Sequence, residues 1–175
     1  MRSFEFEELR IPLTAIKTGK CEFKFETVLQ DIDAGEGRRF PDNIRITARI
    51  TTVGPDFLLD LRVESEGDFV CDRCGASFRP IIQGGIQTLF TFHPADPDVE
   101  DDDVRVLEPG TDEIDLRRDV IDALILAVPA KAVCRESCKG LCPRCGTNLN
   151  ETDCGCTFEE IDPRWDVLRR LKPDS

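Results

Sequence analysis

The stretch Ile44-Arg-Ile-Thr-Ala-Arg-Ile-Thr-Thr-Val53 indicates the fold class, because it alternates apolar and polar residues with the two-residue period of a half-buried β-strand. Gly54-Pro-Asp56 interrupts this alternation, and residues 57–63 resume it with the same period. Two alternating runs joined by a short turn sequence predict an antiparallel hairpin.

Three further stretches extend the predicted sheet. They are residues 4–9, the segment around Phe23 and Phe25, and residues 78–92. The last stretch contains Gly84-Gly85, and paired glycines inside a strand predict a bulge or a sharp bend. We therefore expect a strand-rich region up to residue 92, forming an antiparallel sheet that is strongly curved or partly closed as a partial barrel.

The apolar period changes to that of a helix after residue 113. Six apolar side chains between residues 114 and 128 fall mainly on one helical face: Ile114, Val120, Ile121, Leu124, Ile125 and Val128. Pro129 ends the predicted helix, because proline lacks the N–H that would continue the hydrogen-bond ladder and disfavours helical geometry just before it. A helix with such a face packs on the sheet, so residues 1–130 are predicted to form one α+β domain.

Negative charge is concentrated in Pro94-Ala-Asp-Pro-Asp-Val-Glu-Asp-Asp-Asp103, which has little to bury. We predict a solvated surface loop there, and the alternative is a contact for a basic partner. The net charge of the chain is −12, which excludes non-specific nucleic-acid binding by the whole surface, since that depends on clustered Lys and Arg. An RNA contact would need a local basic face, a basic protein partner is equally compatible, and the acidity could simply maintain solubility.

The sequence predicts a cytoplasmic protein. No apolar run approaches the roughly 20 residues that span a bilayer, and the acidic residues 1–8 are unlike a signal or transit peptide. In a reducing cytosol, nine cysteines indicate bound metal rather than disulfides.

The cysteines have the spacing of metal ligands. Cys71-Asp-Arg-Cys74-Gly and Cys142-Pro-Arg-Cys145-Gly are C-x-x-C pairs, in which two thiolates chelate one ion and the glycine lets the backbone turn tightly. Cys154-Gly-Cys156 closely follows the second pair, whereas the first pair needs two ligands from a distant segment, which Cys134-Arg-Glu-Ser-Cys138 offers. We predict two structural Zn²⁺ sites of four ligands each: Cys71, Cys74, Cys134 and Cys138 in one, and Cys142, Cys145, Cys154 and Cys156 in the other.

Spacing alone leaves other pairings open. A single site formed by Cys138, Cys142, Cys145 and Cys154 would leave Cys134 and Cys156 free. Thiols without metal, either reduced or paired as disulfides, are a further alternative. The ninth cysteine, Cys21, lies on a predicted strand and is expected to be a small buried hydrophobe.

The sequence does not indicate an enzyme. Catalytic metal sites keep a ligand position for water and usually include His or a carboxylate. The single histidine, His93, precedes Pro94 and is not part of a deaminase motif. A redox role for Cys71 and Cys74 lacks the βαβ context of such motifs.

The C-terminal residues 131–175 are predicted to form a zinc-knuckle tail that ends in a helix. Asp162-Pro-Arg-Trp-Asp-Val-Leu-Arg-Arg-Leu171 supplies the N-cap, the first-turn proline and the basic end of that helix.

Four motifs taken together resemble the YceD family of bacterial and plastid proteins, which are described as large ribosomal RNA subunit accumulation proteins. In chain order they are Cys71-Asp-Arg-Cys74, Glu113-Ile-Asp-Leu through Leu124-Ile-Leu-Ala-Val-Pro129, Cys138-Lys-Gly-Leu-Cys-Pro-Arg-Cys-Gly-Thr-Asn-Leu-Asn150, and Asp162-Pro-Arg-Trp165. The resemblance implies a non-enzymatic factor needed for large-subunit (23S) ribosomal RNA to mature or persist during ribosome biogenesis. It also implies that Cys71, Cys74, Cys134 and Cys138 are the core site, because some relatives lack the C-terminal knuckle.

Two kinds of partner follow from this resemblance, and neither is a membrane or a small-molecule substrate. In the first interpretation the protein docks on large-subunit ribosomal RNA or a pre-ribosomal particle, since zinc knuckles can present basic side chains rigidly to phosphates and unpaired bases. The candidate contacts, for which ordinary solvation is the plain alternative, are Lys131, Arg135, Lys139, Arg144, Arg164, Arg169, Arg170 and Lys172. In the second interpretation the protein is an acidic adaptor that binds a basic ribosomal protein or a nuclease through residues 94–103, without direct RNA contact.

Overall fold

The computed structural model describes residues 9–28, 40, 43–93 and 103–156. Nine strands, one α-helix and a 3-10 turn at Leu13–Ala15 lie in these ranges. The strands are β1 (Arg10–Pro12), β2 (Lys20–Val28), β3 (Asn43–Val53), β4 (Asp56–Glu66), β5 (Phe69–Val70), β6 (Ser77–Phe78), β7 (Ile81–Thr91), β8 (Val104–Val106) and β9 (Glu113–Asp115), and the helix is α1 (Arg117–Ala127). The predicted α+β class is confirmed.

The predicted hairpin is confirmed as β3–β4, the centre of a five-stranded sheet with the order β2-β3-β4-β7-β8. β3 and β4 pair antiparallel from Arg45↔Glu64 to Val53↔Asp56. The turn between them contains Gly54 with a φ of 63°, which glycine adopts without steric cost. The alternation read from the sequence sends Ile44, Ile46, Ala48 and Ile50 into the core.

Among the described residues the sheet is open, so the predicted partial barrel is wrong, and the predicted antiparallel pairing holds for β2, β3, β4 and β7 but not for β8. β2 and β8 form its two edges and do not pair with each other. β8 pairs parallel with β7, with Leu89 opposite Val104. Just before β8, the Asp103 carbonyl accepts a 2.7 Å hydrogen bond from Leu89 N–H of β7.

The helix starts later than the sequence period suggests. α1 begins at Arg117 rather than near Ile114, because Glu113–Asp115 is a strand paired with β1. Ile114 is fully buried opposite Ile11 in this small sheet, which explains why it fits an apolar pattern without being helical. At the other end, Val128 has extended backbone geometry, as expected of the residue before Pro129.

One face of the five-stranded sheet packs against α1. Val120, Ala123 and Leu124 of the helix are fully buried. They form one apolar cluster with inward residues of β3, β4 and β7, among them Ile46, Leu61, Val63 and Ile82. The described residues contain no helix with the length and apolar composition that crossing a bilayer requires.

Gly84 allows the close approach of α1 to β7 and does not form the predicted bulge. The pairing of β4 with β7 continues without interruption through Val63↔Gly84 and Arg62↔Gly85. A Cβ at Gly84 would lie 2.5 Å from the Ala123 carbonyl oxygen and 2.5 Å from the Ala127 Cβ. The helix backbone therefore occupies the space that a side chain would need.

We expect Gly84→Ala to lower the free energy of unfolding by about 1–3 kcal/mol, the usual cost of overpacking a filled core. Urea denaturation of the two proteins measures this difference. Gln87→Ala is the matched control, because Gln87 lies on the same strand with its side chain exposed. An equal effect of both substitutions would show that α1 does not depend on the missing Cβ.

Candidate metal centre

The first C-x-x-C pair lies in the tight turn between β5 and β6. Cys71 N–H donates to the Ala76 carbonyl at 2.9 Å, and Gly75 N–H donates to the Cys71 carbonyl at 2.8 Å. Gly75 has a φ of 70°, which closes the turn and directs Cys71 and Cys74 to the same side. Both thiols are buried.

The segment after α1 brings two more cysteines to this turn. Asp72 joins the two segments twice, since its N–H donates to the Ala132 carbonyl at 2.8 Å and its carboxylate accepts from Ala132 N–H at 2.5 Å. Arg73 Nη1 donates to the carbonyl of Cys138 at 2.9 Å. These bonds hold Cys134 and Cys138 against Cys71 and Cys74, and we call these four residues the first cluster.

The sulfur positions of the first cluster fit a tetrahedral metal ion. All four Sγ atoms lie within 4.8 Å of one another. The Cys71–Cys138 and Cys74–Cys134 sulfur distances are 3.9 and 3.8 Å. Four thiolates bound at about 2.3 Å in a tetrahedron lie about 3.8 Å apart, so the donor set has the size that zinc requires.

The polar surroundings divide the four thiols into two pairs. Burial raises the pKa of Cys71, but N–H groups of Cys134, Cys74 and Arg73 outweigh it and lower that pKa to about 6. The pKa of Cys138 is also lowered, because the Asn150 side chain and Gly140 N–H outweigh its burial. Burial and the neighbouring Cys138 raise the pKa of Cys134 to about 12. The Cys71 thiolate is thus favoured near neutral pH, and the thiols whose pKa is raised would lose their protons when a metal binds.

The second C-x-x-C pair repeats the backbone pattern of the first. Cys142 N–H donates to the Thr147 carbonyl and Gly146 N–H donates to the Cys142 carbonyl, both at 2.8 Å. Gly146 has a φ of 75°. This turn faces the local pair Cys154 and Cys156, and the four sulfurs again lie within 4.8 Å of one another. We call Cys142, Cys145, Cys154 and Cys156 the second cluster.

The second cluster is less buried than the first. Cys142 is buried, Cys154 and Cys156 are half-buried and Cys145 is exposed. Hydrogen bonding between Cys145 and Thr147 lowers the pKa of Cys145 to about 6. Cys154 and Cys145 raise the pKa of Cys156 to about 12. Like the first cluster, this one therefore combines a thiol whose pKa is lowered, Cys145, with thiols whose pKa is raised, Cys154 and Cys156.

The described residues group the cysteines as two sets of four, and the alternative set of Cys138, Cys142, Cys145 and Cys154 does not form. None of the described cysteines forms a disulfide. Cys21 lies apart on β2 and is half-buried rather than buried as predicted; its sulfur accepts a hydrogen bond from Lys17 N–H at 3.2 Å. His93 is exposed just after β7.

The family described as large ribosomal RNA subunit accumulation protein YceD matches residues 59–172. This range contains most of β4, the whole of β7 and α1, and both clusters. The chain belongs to the YceD family. The resemblance noted from the motifs is thereby confirmed.

Relatives of this YceD chain occur in bacteria and plants. An uncharacterized protein of Mycobacterium tuberculosis is 39% identical over 134 residues, covering 67% of this chain and 63% of that protein. The chloroplastic YCED homolog 1 of Arabidopsis thaliana, named a large ribosomal RNA subunit accumulation protein, is 31% identical over 128 residues, covering 58% of this chain and 40% of that protein. The chain thus spans less than two thirds of the length of these relatives. No solved structure matches it.

The basic residues predicted as contacts fall into two groups. Lys131, Arg135, Lys139 and Arg144 are exposed around the clusters of the YceD chain. Arg164, Arg169, Arg170 and Lys172 lie outside the described residues, as do the predicted terminal helix and residues 94–102 of the predicted acidic loop.

Sequence reasoning missed two polar residues that support the first cluster. Arg73 binds the Glu136 and Cys138 carbonyls at 3.3 and 2.9 Å. Asn150 donates a 3.5 Å hydrogen bond to the Cys138 sulfur. Both lie within the cysteine motifs quoted above, and this position is the one feature of the sequence that could have indicated their role.

Proposed function

We propose that the protein is a non-enzymatic factor that supports the accumulation of large-subunit (23S) ribosomal RNA and ribosome assembly, in the cytoplasm or a plastid, with zinc in both cysteine clusters. The observation that carries this proposal is the family match, which includes both clusters within residues 59–172. The relatives named as large ribosomal RNA subunit accumulation proteins support the same role.

The chemistry of the clusters favours structural zinc. Soft thiolate ligands in a closed tetrahedral set suit zinc, whereas a catalytic site would keep a position for water. Among the described residues, every potential metal ligand in the two clusters is a cysteine, with no His, Asp or Glu. Zinc in such a site would supply folding energy, and N–H groups of Cys134 and Asn150 orient the ligating sulfurs of Cys71 and Cys138 through N–H···S hydrogen bonds.

The charge distribution is compatible with RNA contact by the folded part of the chain. The segments outside the described residues contain 17 of the 35 acidic and 7 of the 23 basic residues of the chain. These segments are residues 1–8, 29–39, 41–42, 94–102 and 157–175. The described residues therefore have a net charge of only −2, against −12 for the whole chain. A local group of exposed cations near the knuckles can meet phosphates without strong repulsion from this part of the protein.

We expect the tagged protein to co-migrate with large-subunit precursors in gradients at low salt. Replacing Lys131, Lys139 and Arg144 by Gln should move most of it to the free fractions, because each lost phosphate contact weakens binding. Each lost contact should also reduce the slope of log affinity against log salt concentration by about one. Arg135 is left in place, since it binds Asn150 at 3.0 Å. The control variant replaces by Gln three basic residues that are exposed on the sheet face opposite α1: Lys20, Lys24 and Arg62. Identical migration of both triple variants would remove the basis for a knuckle–RNA contact.

A second variant tests the acidic-adaptor interpretation in the same gradients. It replaces Asp96, Asp98, Glu100, Asp101 and Asp102 by their amides and keeps Asp103, whose carbonyl accepts the Leu89 N–H. Release of this variant alone would favour a basic protein partner. Free migration of the wild-type protein would contradict stable docking on the particle in either form.

A further inference from the structure

One side chain from the loop of the second cluster contacts a sulfur of the first. Asn150 lies between Cys145 and Cys154, and its Nδ2 donates to Cys138 Sγ at 3.5 Å. Its Oδ1 accepts hydrogen bonds from Lys139 N–H at 2.9 Å and from Arg135 Nη2 at 3.0 Å. Because only the amide oxygen can accept, these two donors fix the orientation of the amide and turn its NH₂ group toward the sulfur.

The position of Asn150 depends on the fold of its own loop. Asn148 Oδ1 accepts from Asn150 N–H at 3.1 Å and from Asn150 Nδ2 at 2.8 Å. Leu149 N–H donates to the Gly140 carbonyl at 2.9 Å. These bonds place Asn150 as long as the loop keeps its shape.

The loop has no apolar core to maintain that shape. None of the residues 143–156 is buried. Apart from backbone hydrogen bonds such as that of Leu149 to Gly140 and an exposed Lys139–Asp153 ion pair at 4.0 Å, the ends of the loop meet where Cys142 and Cys145 face Cys154 and Cys156. A metal ion in the second cluster would therefore supply the order that the loop cannot obtain by burial.

We infer that the two clusters bind metal cooperatively, with the second cluster positioning Asn150 to stabilise the Cys138 thiolate of the first. This inference rests on the proposed zinc occupancy. An N–H group that donates to a ligating sulfur orients this ligand toward the metal. Its loss typically lowers the metal affinity about 10–100-fold. Since coupling between sites is reciprocal, zinc in the first cluster strengthens binding at the second by the same factor.

The test uses the full chain and competition with a chromophoric zinc chelator under reducing conditions. In the wild-type protein this measures the product of the two zinc affinities. In the double variant that carries Cys145→Ser and Cys156→Ser, the same competition measures the zinc affinity of the first cluster alone. The substitution Asn150→Ala is then made in both backgrounds.

We expect Asn150→Ala to lower the wild-type product about 10–100-fold. In the variant without the second cluster it should change the affinity of the first cluster by less than about twofold, because the loop there no longer positions Asn150. Thr152→Ala is the matched control, since Thr152 is an exposed residue of the same loop, and it should leave both values unchanged.

Three results would overturn the inference. Asn150→Ala could leave the wild-type product unchanged, or it could weaken both backgrounds equally, which would make Asn150 a support that is independent of the second cluster. In both cases the zinc sites and the proposed function would stand. A wild-type protein that binds no zinc would overturn the metal assignment and the coupling together.

Discussion

Cys74→Ser is expected to remove zinc from the first cluster and to unfold the region that this cluster joins to the sheet. The two halves of the cluster are about 60 residues apart in sequence, with Cys74 and Cys134 sulfurs at 3.8 Å. Structural zinc contributes roughly 10–16 kcal/mol of apparent binding free energy in small zinc peptides. This is comparable with the whole stability of an ordinary domain, about 5–15 kcal/mol.

The loss should be greatest in the segments that the first cluster holds together. Cys71, Cys74 and Cys138 form their own buried group, with Phe78 and Val133 packed against it. Phe78 also packs against the main core, so its displacement would transmit the change to the sheet. The main core around β3, β4, β7 and α1 contains no cysteine of either cluster, and it should remain folded longer.

Hydrogen exchange and zinc analysis measure this prediction directly. We expect loss of amide protection in residues 69–80 and 128–150, and a fall in zinc content from two ions per chain to one or none. Cys21→Ser is the matched control, because Cys21 lies outside both clusters, and it should keep both ions and its protection. If Cys74→Ser and Cys21→Ser gave the same protection pattern, the first cluster would not be a structural metal site.

The elements that the sequence predicted well are those whose signal is local. The β3–β4 hairpin combines a strict two-residue period with Gly54, and Pro129 ends α1 by its own covalent geometry. The grouping of the cysteines could be argued from spacing, because a local C-x-x-C and C-x-C leave the distant pairs to each other.

The elements that the sequence did not predict depend on contacts between distant segments. β8 and β9 have three residues each, too few for a period to show, and no local pattern states that β8 runs parallel to β7. The strand pattern around Gly84 predicts a bulge, whereas the helix that approaches this glycine lies about 40 residues later in the chain. The role of Asn150 follows from a hydrogen bond to a sulfur 12 residues away, and no spacing rule encodes that bond.

Asp119 is a second position where we expect a large effect, in this case without any metal. It lies in the first turn of α1 and is fully buried. Its carboxylate accepts a 2.9 Å hydrogen bond from Thr88 Oγ1 of β7 and a 2.6 Å bond from Arg105 Nη1 of β8. One side chain therefore joins the helix to both strands of the parallel pair. Burial raises the pKa of Asp119, while Arg105 and Thr88 act in the opposite direction by stabilising the carboxylate.

We expect Asp119→Ala to lower the free energy of unfolding by about 3–5 kcal/mol, because it removes one partner of a buried ion pair and leaves Arg105 without its main counter-charge. Asp122→Ala is the matched control, since Asp122 lies one turn later and faces the same guanidinium at 3.7 Å, but 42% of its side chain is exposed. Exposed pairs contribute about 0–1 kcal/mol, so this variant should be almost as stable as the wild type in urea denaturation. Equal losses for Asp119→Ala and Asp122→Ala would show that burial adds nothing to the Arg105 pair. A large loss for Asp119→Ala alone would show that this carboxylate fixes the helix on the edge of the sheet formed by β7 and β8.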